Sequence, residues 1–297
     1  GIAQGGPVPI ANPVTGASIA FVSSGSDSIS HIWVLNLDRS TVTQLTHGAA
    51  SDAVPAWSPD RRSIAFYRGG DTATAGVWVM AADGSGAVRI APFGGSPTWS
   101  PDGRKIAVIE PPNSMIIMNT DGSGAVWIHV SPGRPVQRGW WRARDAAWSP
   151  DGSTIAFNGQ TLDAVGDPFL QVYLMDANGL NVRRLTSDNT YLPFGFVSEV
   201  GPSWSPDGKR VAFWSELFGI TVANREGSGL FSVTKENAGV TSQPIAEQRD
   251  SPDWSPEGDR LVFVRNGQLF VARADGSGAI QPVTALPNGA GSPAWSR

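Results

Sequence analysis

The pentapeptide Trp99-Ser100-Pro101-Asp102-Gly103 decides the fold of this chain of 297 residues, because near-copies of it recur along the sequence. Four further complete or near-complete copies and one shortened copy begin at tryptophans that, with Trp99, lie 41 to 56 residues apart: Trp57, Trp148, Trp204, Trp254 and Trp295. Repeats of this length are typical of architectures that stack one supersecondary unit against the next. The sequence therefore consists of six copies of one unit.

Each unit contains the signals of four short strands. In the unit that begins at Trp148, the turn is followed by a β-rich run, Ile155-Ala156-Phe157, and then by a second alternating run, Val172-Tyr173-Leu174-Met175. Another turn leads into a short final strand, Arg184-Leu185-Thr186. Other units fill this turn with Asp-Gly-Ser-Gly, for example at Asp121 to Gly124. Apolar runs bounded by glycine, proline and aspartate predict β-hairpins.

Six antiparallel units without helical periodicity predict an all-β fold, a β-propeller whose four-stranded units are blades around a central axis. A linear β-solenoid is the alternative. The two ends of the sequence favour a closed ring, since it opens with second-strand material, Ile19-Ala20-Phe21, and closes with a first strand, Pro293-Ala294-Trp295-Ser296. We therefore predict one six-bladed propeller domain over residues 1–297, with residues 1–13 as an N-terminal extension. One blade would combine the C-terminal strand with three N-terminal strands.

The pattern Trp-Ser-Pro-Asp-Gly-x-x-Ile-Ala-Phe resembles the repeat of TolB-like propellers, which is also called the PD40 repeat. The resemblance covers essentially the whole chain from residue 14 onward. It implies six blades and, for many members of the family, an extracytoplasmic setting in bacteria. We therefore expect a periplasmic or secreted protein, and Gly1 in place of an initiator methionine fits a mature secreted protein or a trimmed chain.

Charge and composition exclude several classes of protein. The chain has 22 Lys and Arg against 26 Asp and Glu, and its net charge of −4 argues against nucleic acid or an anionic membrane as a partner. The absence of Cys excludes a disulfide framework, a thiolate nucleophile and a Cys-ligated zinc site. No apolar run approaches the roughly 20 residues that a membrane span needs. We expect a monomer that neither binds nucleic acid nor inserts into a membrane.

The repeated turn itself favours a structural role for its aspartates. Serine begins a type I turn in which proline, aspartate and glycine occupy the next three positions, each suited to its place. The alternative is that the aspartates are metal ligands or form an acidic ring. Repetition of the whole turn favours the structural interpretation, and the same holds for the Asp-Gly-Ser-Gly turns.

One face of the predicted propeller carries the long connections. We call the face at which each innermost strand begins the long-loop face, and the opposite one the turn face. The spacings from the end of a fourth strand to the next motif tryptophan are 11, 8, 18, 18, 20 and 11 residues on the long-loop face, whereas spacings on the turn face barely vary. The three long connections precede Trp148, Trp204 and Trp254, which are neighbours around the ring. Insertions on one face of a repeat protein indicate its binding face.

The long connections contain the candidate ligand-binding residues. Arginine suits bidentate contacts with carboxylates, and aromatic rings offer flat contact area for sugars, prolines or aliphatic groups. An alternative for the paired tryptophans is that they fold inward and fill their own loop. The candidates are Trp140, Trp141, Arg142, Arg144, Asp145, Tyr191, Phe194, Glu199, Arg249 and Asp250.

Four carboxylates precede innermost strands by a few residues, and we expect them to ring the mouth of the central channel: Asp52, Asp145, Glu199 and Asp250. The alternative is that they pair with Arg144 and Arg249 and tie the loops together. Carboxylates at a channel mouth could also provide an acid and base for glycoside chemistry.

Catalytic signatures are weak. His31 and His47 fall on the long-loop face of the first blade and His129 on an outer strand, which makes a poor zinc or manganese site. The sequence has no Gly-x-Ser-x-Gly, His-Glu-x-x-His, Gly-x-Gly-x-x-Gly or Walker motif. We predict no catalytic residue, metal site or cofactor, and a channel cation such as calcium is the alternative left open.

Three hypotheses about function remain, and the third of them is a scaffold domain cut from a larger envelope protein. The first is a binding module that holds a peptide, a protein segment or a glycan at the channel mouth on the long-loop face. The second is a carbohydrate-active lyase or hydrolase that uses the mouth carboxylates, with Glu199, Asp250, Arg144 and Tyr191 as its candidate catalytic residues.

Overall fold

The computed structural model describes residues 16–24, 28–110, 114–129, 145–162, 168–186, 199–216, 218–234, 251–283 and 289–296. The strands of its first half are β1 (Ser18–Ser24), β2 (Ser30–Asn36), β3 (Thr41–Gln44), β4 (Asp52–Trp57), β5 (Ser63–Arg68), β6 (Gly76–Ala81), β7 (Val88–Ala91), β8 (Gly95–Trp99), β9 (Lys105–Glu110), β10 (Ser114–Asn119), β11 (Val126–His129) and β12 (Ala146–Trp148). Those of its second half are β13 (Thr154–Leu162), β14 (Pro168–Asp176), β15 (Arg183–Arg184), β16 (Glu199–Trp204), β17 (Arg210–Ser215), β18 (Gly219–Asn224), β19 (Phe231–Ser232), β20 (Asp253–Trp254), β21 (Arg260–Arg265), β22 (Gln268–Arg273), β23 (Gln281–Pro282) and β24 (Gly291–Trp295).

These strands form six four-stranded antiparallel sheets within the described residues. Blade 1 has the order β24-β1-β2-β3, and blades 2 to 6 are built from consecutive strands, β4 to β7 through β20 to β23. Ile19 pairs with Trp295 where the two ends of the chain meet. The amide of Ser296 also donates to the main-chain oxygen of Ser18 at 2.8 Å. The predicted six-bladed propeller and its ring closure are confirmed.

The hydrophobic core lies between neighbouring blades. One cluster, for example, joins Ala156 and Leu174 of blade 4 to Trp204 and Phe213 of blade 5. The middle strands are apolar on both faces because a blade covers each side of them. Phe213 is fully buried in this seam, and removing such a ring from a core typically costs about 3–5 kcal/mol.

The motif tryptophans fill these seams, and several also hydrogen-bond across them. The indole Nε1 donates to the main-chain oxygen of the previous blade at 3.0–3.1 Å in three pairs: Trp99 to Ala56, Trp204 to Ala147 and Trp254 to Ser203. Trp148 differs, because its Nε1 donates to the oxygen of Gly152 in its own turn and its ring is only half-buried. The repeated tryptophan is therefore a seam residue whose hydrogen bond varies between blades.

The aspartates of the repeated turns hydrogen-bond inside those turns. Ser205 Oγ donates to Asp207 Oδ1 at 2.6 Å and accepts from the amide of Arg210 at 2.9 Å. The same serine–aspartate bond of 2.6 Å recurs in three other blades: Ser58 to Asp60, Ser100 to Asp102 and Ser149 to Asp151. The hydroxyl of Ser205 is the main reason that the pKa of Asp207 lies below its usual value. The structural interpretation of this turn is confirmed.

Candidate functional site

The innermost strands of all six blades enclose a cavity of about 360 Å³. Its wall repeats one pattern, the motif tryptophan and the residues just before it, as in Val54, Pro55, Ala56 and Trp57 of blade 2. Prolines of the repeated turns also line it, so the cavity extends along the inner strands towards the turn face. The cavity is therefore the central channel of the propeller.

Proline dominates one level of the channel wall. The position two residues before the motif tryptophan is alanine in blade 4, Ala146, and proline in the other blades: Pro55, Pro97, Pro202, Pro252 and Pro293. A proline nitrogen carries no hydrogen, and in sheets proline is confined to edges and bulges. The inner edge of each blade faces the channel, so proline protects that edge from pairing with another strand.

The residue before this proline is left-handed in four blades, with φ of 52°, 49°, 66° and 45° at Val54, Ser96, Gly201 and Ser292. The pairing of β4, β8, β16 and β24 shifts register at the same point, which is the mark of a β-bulge. A β-branched residue rarely adopts this conformation, and such strain costs about 1–3 kcal/mol. The bulge is therefore a repeated feature of the channel wall.

Polar side chains join neighbouring inner strands within this wall. Asp253 accepts from Ser203 Oγ at 2.6 Å and, through its other oxygen, from the amide of Trp295 at 2.7 Å. Its carboxylate thus connects the inner strands of blades 5, 6 and 1. Asp253 and Asp145 are the acidic residues among the described side chains that line the cavity.

The predicted ring of carboxylates at the mouth is only partly correct. Asp145 lines the cavity. Asp52 does not, because it is fully buried and accepts from Arg68 Nε at 2.7 Å and Nη2 at 2.9 Å. The register of β4 and β5 places Asp52 directly opposite Arg68. The expectation that Asp52 faces the mouth is wrong, and its charge is instead neutralised inside blade 2.

Glu199 is also fully buried rather than placed in the channel lining. Its carboxylate accepts from the hydroxyl of Thr186 at 2.9 and 3.0 Å and from the amide of Val172 at 3.3 Å. Its main-chain oxygen accepts from Asn158 Nδ2 at 2.8 Å. The expectation that this carboxylate rings the mouth is wrong, because the start of β16 turns it into the seam between blades 4 and 5.

The other candidate binding residues lie outside the described residues, and their roles stay predictions: Trp140, Trp141, Arg142, Arg144, Tyr191, Phe194, Arg249 and Asp250. The structure does describe the points at which their connections rejoin the propeller. Residues 145, 199 and 251 follow the three long connections, and Asp145 and Ser251 line the cavity. The long connections therefore lead into the channel wall or directly beside it.

The histidines that the structure describes lie in different environments. His31 is buried on β2, whereas His47 is exposed. Among the described residues there is no group of three or more His, Asp or Glu side chains that could hold a metal ion. No helix in the described ranges is both long and apolar enough to span a bilayer.

Sequence reasoning missed Asn158, Thr186 and Asp253. Asn158 could have been found by aligning the six units, because its position is apolar or aromatic in the other blades. Asp253 precedes a motif tryptophan directly, where other units have Ala, Thr or Ser. The contacts of Thr186 carry no such signal, since threonine also occupies this position in other units.

Comparison with known proteins agrees with this geometry. The family described as TolB beta propeller domain, PD40, matches residues 9–135. The uncharacterized peptidase YuxL of Bacillus subtilis strain 168 is 29% identical over 204 residues, which are 67% of this chain and 27% of that protein. The chain therefore spans about a quarter of the length of this relative.

Two solved structures share the fold at low sequence identity. TolB from Acinetobacter baumannii superimposes with a TM-score of 0.68 and 18% identity, over 97% of this chain and 68% of that one. Oligogalacturonate lyase from Vibrio parahaemolyticus gives a TM-score of 0.55 and 17% identity, over 91% of this chain and 74% of that one. The chain is therefore a six-bladed propeller that is similar to TolB-like propellers and matches their PD40 family model over residues 9–135.

Proposed function

We propose that this propeller is an extracytoplasmic binding module that holds a peptide, a protein segment or a glycan at the channel mouth on its long-loop face. The observation that carries the proposal is the channel cavity of about 360 Å³, to which all six blades contribute. Ligand sites in proteins are typically concave, with volumes of about 300–1,000 Å³.

The chemistry of the wall suits such a ligand. Proline rings and tryptophan edges supply apolar contact area, while Ser96, Thr98, Ser251 and the carboxylates of Asp145 and Asp253 supply a few fixed polar groups. A mainly apolar wall with few polar groups is typical of sites that orient a ligand. The prolines also prevent the inner strand edges from capturing a strand non-specifically.

The long connections support placement at the mouth. They carry the aromatic and arginine residues predicted to contact ligand, among them Trp140, Trp141, Arg144, Tyr191 and Phe194. Two of the connections lead into cavity-lining residues. We infer a rim above the channel that adds aromatic and cationic contacts to this mainly apolar wall.

The similarity to TolB-like propellers supports the proposed extracytoplasmic location. The TolB-like repeat and fold support a periplasmic or secreted location, and protein or peptide partners suit a propeller of this kind. Fractionation of the native host, followed by immunodetection, tests the location. Recovery in the cytoplasmic fraction alone would contradict it.

Binding is tested with defined probes. The protein is titrated with a pool of fluorescein-labelled random short peptides and screened on a glycan array. The double variant Trp141→Ala, Arg144→Ala should weaken the tightest interaction at least about tenfold, or about 1.4 kcal/mol. Leu180→Ala is the matched control, because Leu180 is 62% exposed and does not line the channel. Equal affinities for the double variant and the wild type would overturn the placement at the rim.

A carbohydrate-active lyase or hydrolase is the second candidate, and the fold shared with an oligogalacturonate lyase favours it. Of its candidate catalytic residues, Glu199 is occupied by hydrogen bonds inside the seam, which leaves Asp250, Arg144 and Tyr191. Release of unsaturated uronate from polygalacturonate, abolished by Asp250→Asn, would replace the binding function with an enzymatic one.

A further inference from the structure

Asn158 breaks the repeat at a buried position. It lies on the second strand of blade 4, directly after the Ile-Ala-Phe run, and is fully buried. The equivalent residues of the other five blades are apolar or aromatic: Val22, Tyr67, Ile109, Trp214 and Val264. Burying an amide is unfavourable unless both of its ends are hydrogen-bonded. Both ends of the Asn158 side-chain amide are therefore expected to have hydrogen-bond partners in the core.

The oxygen and the nitrogen of this side-chain amide both form hydrogen bonds with the free edge of β16. Asn158 Nδ2 donates to the main-chain oxygen of Glu199 at 2.8 Å, and its Oδ1 accepts from the amide of Gly201 at 3.1 Å. An oxygen and an amide two residues apart are the groups that a residue of a parallel strand would bond. The side chain of Asn158 thus imitates one residue of a neighbouring strand at the point where blade 5 enters the channel wall.

Glu199 breaks the repeat a second time in the same seam. In blades 1 and 5 a threonine accepts from an amide of the third strand, Thr46 from Ile32 at 2.9 Å and Thr234 from Ile220 at 3.2 Å. In blade 4 the corresponding amide donates to the carboxylate of Glu199 instead. The threonine of blade 4 becomes a donor to the same carboxylate.

Asn158 and Glu199 both hold the backbone at the start of β16. Gly201 is left-handed, with φ of 66°, and it lines the channel. A Cβ at Gly201 would lie 2.3 Å from Ser251 Oγ, so this backbone is packed closely against the segment that leads into the inner strand of blade 6. A small shift of the start of β16 would therefore change the shape of the channel wall.

We propose that Asn158 and Glu199 are a pair of positioning residues that fix Gly201 and Pro202 in the channel wall and so set the affinity of the channel-mouth site. The proposal rests on the binding function proposed above. Neither side chain needs to touch the ligand. Asn158 holds the edge of β16 from one side, and Glu199 anchors the start of the same strand to the third and fourth strands of blade 4.

Each test variant replaces Asn158 or Glu199 with the residue found at the equivalent position of another blade. Asn158→Val installs the residue of blades 1 and 6, and Glu199→Ala installs Ala290, its equivalent in blade 1. The hydroxyl of Thr186 can then accept from the amide of Val172, as Thr46 does for Ile32. Thr46→Val is the matched control, because it removes one buried threonine bond far from blade 5. Glu199→Gln is the conservative variant and keeps an acceptor for Thr186.

Two measurements are made on each variant. Hydrogen exchange of the Gly201 amide, which needs no ligand, should accelerate at least about tenfold in Asn158→Val and not in Thr46→Val. Affinity for the tightest peptide of the labelled pool should fall at least about tenfold in Asn158→Val and Glu199→Ala. It should stay within about threefold of the wild type in Glu199→Gln and Thr46→Val, since these preserve the wall.

The outcomes separate this proposal from the one it rests on. Unchanged Gly201 exchange in Asn158→Val overturns the positioning role, whether or not the wild type binds a probe. Faster exchange with unchanged peptide affinity also overturns it, because the wall position then does not set affinity. A wild type that binds no peptide and no glycan contradicts the binding function, and the exchange result still decides whether Asn158 fixes the strand.

Discussion

Thr186 donates its hydroxyl hydrogen to the carboxylate of Glu199 at 2.9 and 3.0 Å, and the bond joins the residues on either side of the segment 187–198. It replaces the bond that the equivalent threonine makes elsewhere. Thr46 accepts from the amide of Ile32 instead. The repeat therefore keeps one residue type and reverses the direction of its hydrogen bond where a carboxylate enters the seam.

This reversal makes the two threonines unequal in their contribution to stability. Thr186→Val should lower the free energy of unfolding by about 1.5–3 kcal/mol, the range for hydrogen bonds to charged groups. Thr46→Val should lower it by about 0.5–1.5 kcal/mol, because its bond joins neutral groups. Urea unfolding of both variants measures the difference, and a larger loss for Thr46→Val would contradict this account of Glu199.

The hydrogen bonds of the motif tryptophans predict a second difference. Trp99 and Trp57 are 9% and 8% exposed, but the indole of Trp99 donates to Ala56 whereas that of Trp57 has no partner within the described part of the chain. Each change to phenylalanine removes a similar ring volume, so the loss of the bond accounts for the difference. Trp99→Phe should be less stable than Trp57→Phe by about 0.5–1.5 kcal/mol. Equal thermal stability would show that the seam bond contributes nothing.

The repeated turns predict a contribution to acid sensitivity. The hydroxyl of Ser100 is the main reason that the pKa of Asp102 lies below its usual value. A lowered pKa in the folded state stabilises the fold above the unfolded value of about 3.9, and this contribution is lost as the pH falls through the folded value. The pKa values of four other turn aspartates are lowered in the same way: Asp83, Asp121, Asp207 and Asp275.

Ser100→Ala should therefore raise the pKa of Asp102 towards about 3.9. Titration of the Asp102 carboxyl carbon by NMR measures the change. Asp121 serves as an internal control, because its main partner is Ser123 in another turn. An unmoved pKa at Asp102 would show that the serine hydroxyl does not stabilise the charged form.

Two glycines with positive φ differ in how closely other atoms of the propeller pack against them. Gly227 has φ of +84° and a Cβ there would lie 1.9 Å from the main-chain oxygen of Leu185, whereas Gly48 has φ of +103° and nothing within 4 Å. Gly48→Ala should cost about 1–2 kcal/mol, the penalty for a left-handed L-residue. Gly227→Ala adds a clash with the neighbouring blade and should exceed about 4 kcal/mol. Similar midpoints in thermal unfolding would contradict this packing.

The repeat made the architecture predictable from the sequence. Each Trp-Ser-Pro-Asp-Gly turn fixes the start of a hairpin by local hydrogen bonds, such as Ser205 to Asp207. Local signals of this kind do not depend on the rest of the fold. The ring closure was also readable, because Trp295 belongs to a first strand and Ile19 to a second strand, and each completes the other.

The candidate site was only partly predictable, because its side-chain directions depend on register and bulges. Asp52 and Glu199 were correctly placed near the starts of inner strands. The sequence did not show that the pairing of Asp52 with Arg68, or the seam beside Thr186, would bury both carboxylates. The shape of the channel wall depends on β-bulges at Val54 and the equivalent residues. No local sequence pattern predicted these bulges.

The central claim is that ligand binds at the channel mouth on the long-loop face, and a variant that fills this mouth tests it most directly. Ser251 lines the cavity where the third long connection rejoins the propeller, so Ser251→Trp should occupy part of the volume of about 360 Å³. Leu180→Trp adds the same side chain at an exposed position outside the channel lining. The measurement is the fluorescence anisotropy titration of the tightest labelled peptide against wild type and both variants. We expect at least about tenfold weaker binding for Ser251→Trp and no change for Leu180→Trp. Unchanged affinity for a folded Ser251→Trp would contradict binding at the channel mouth.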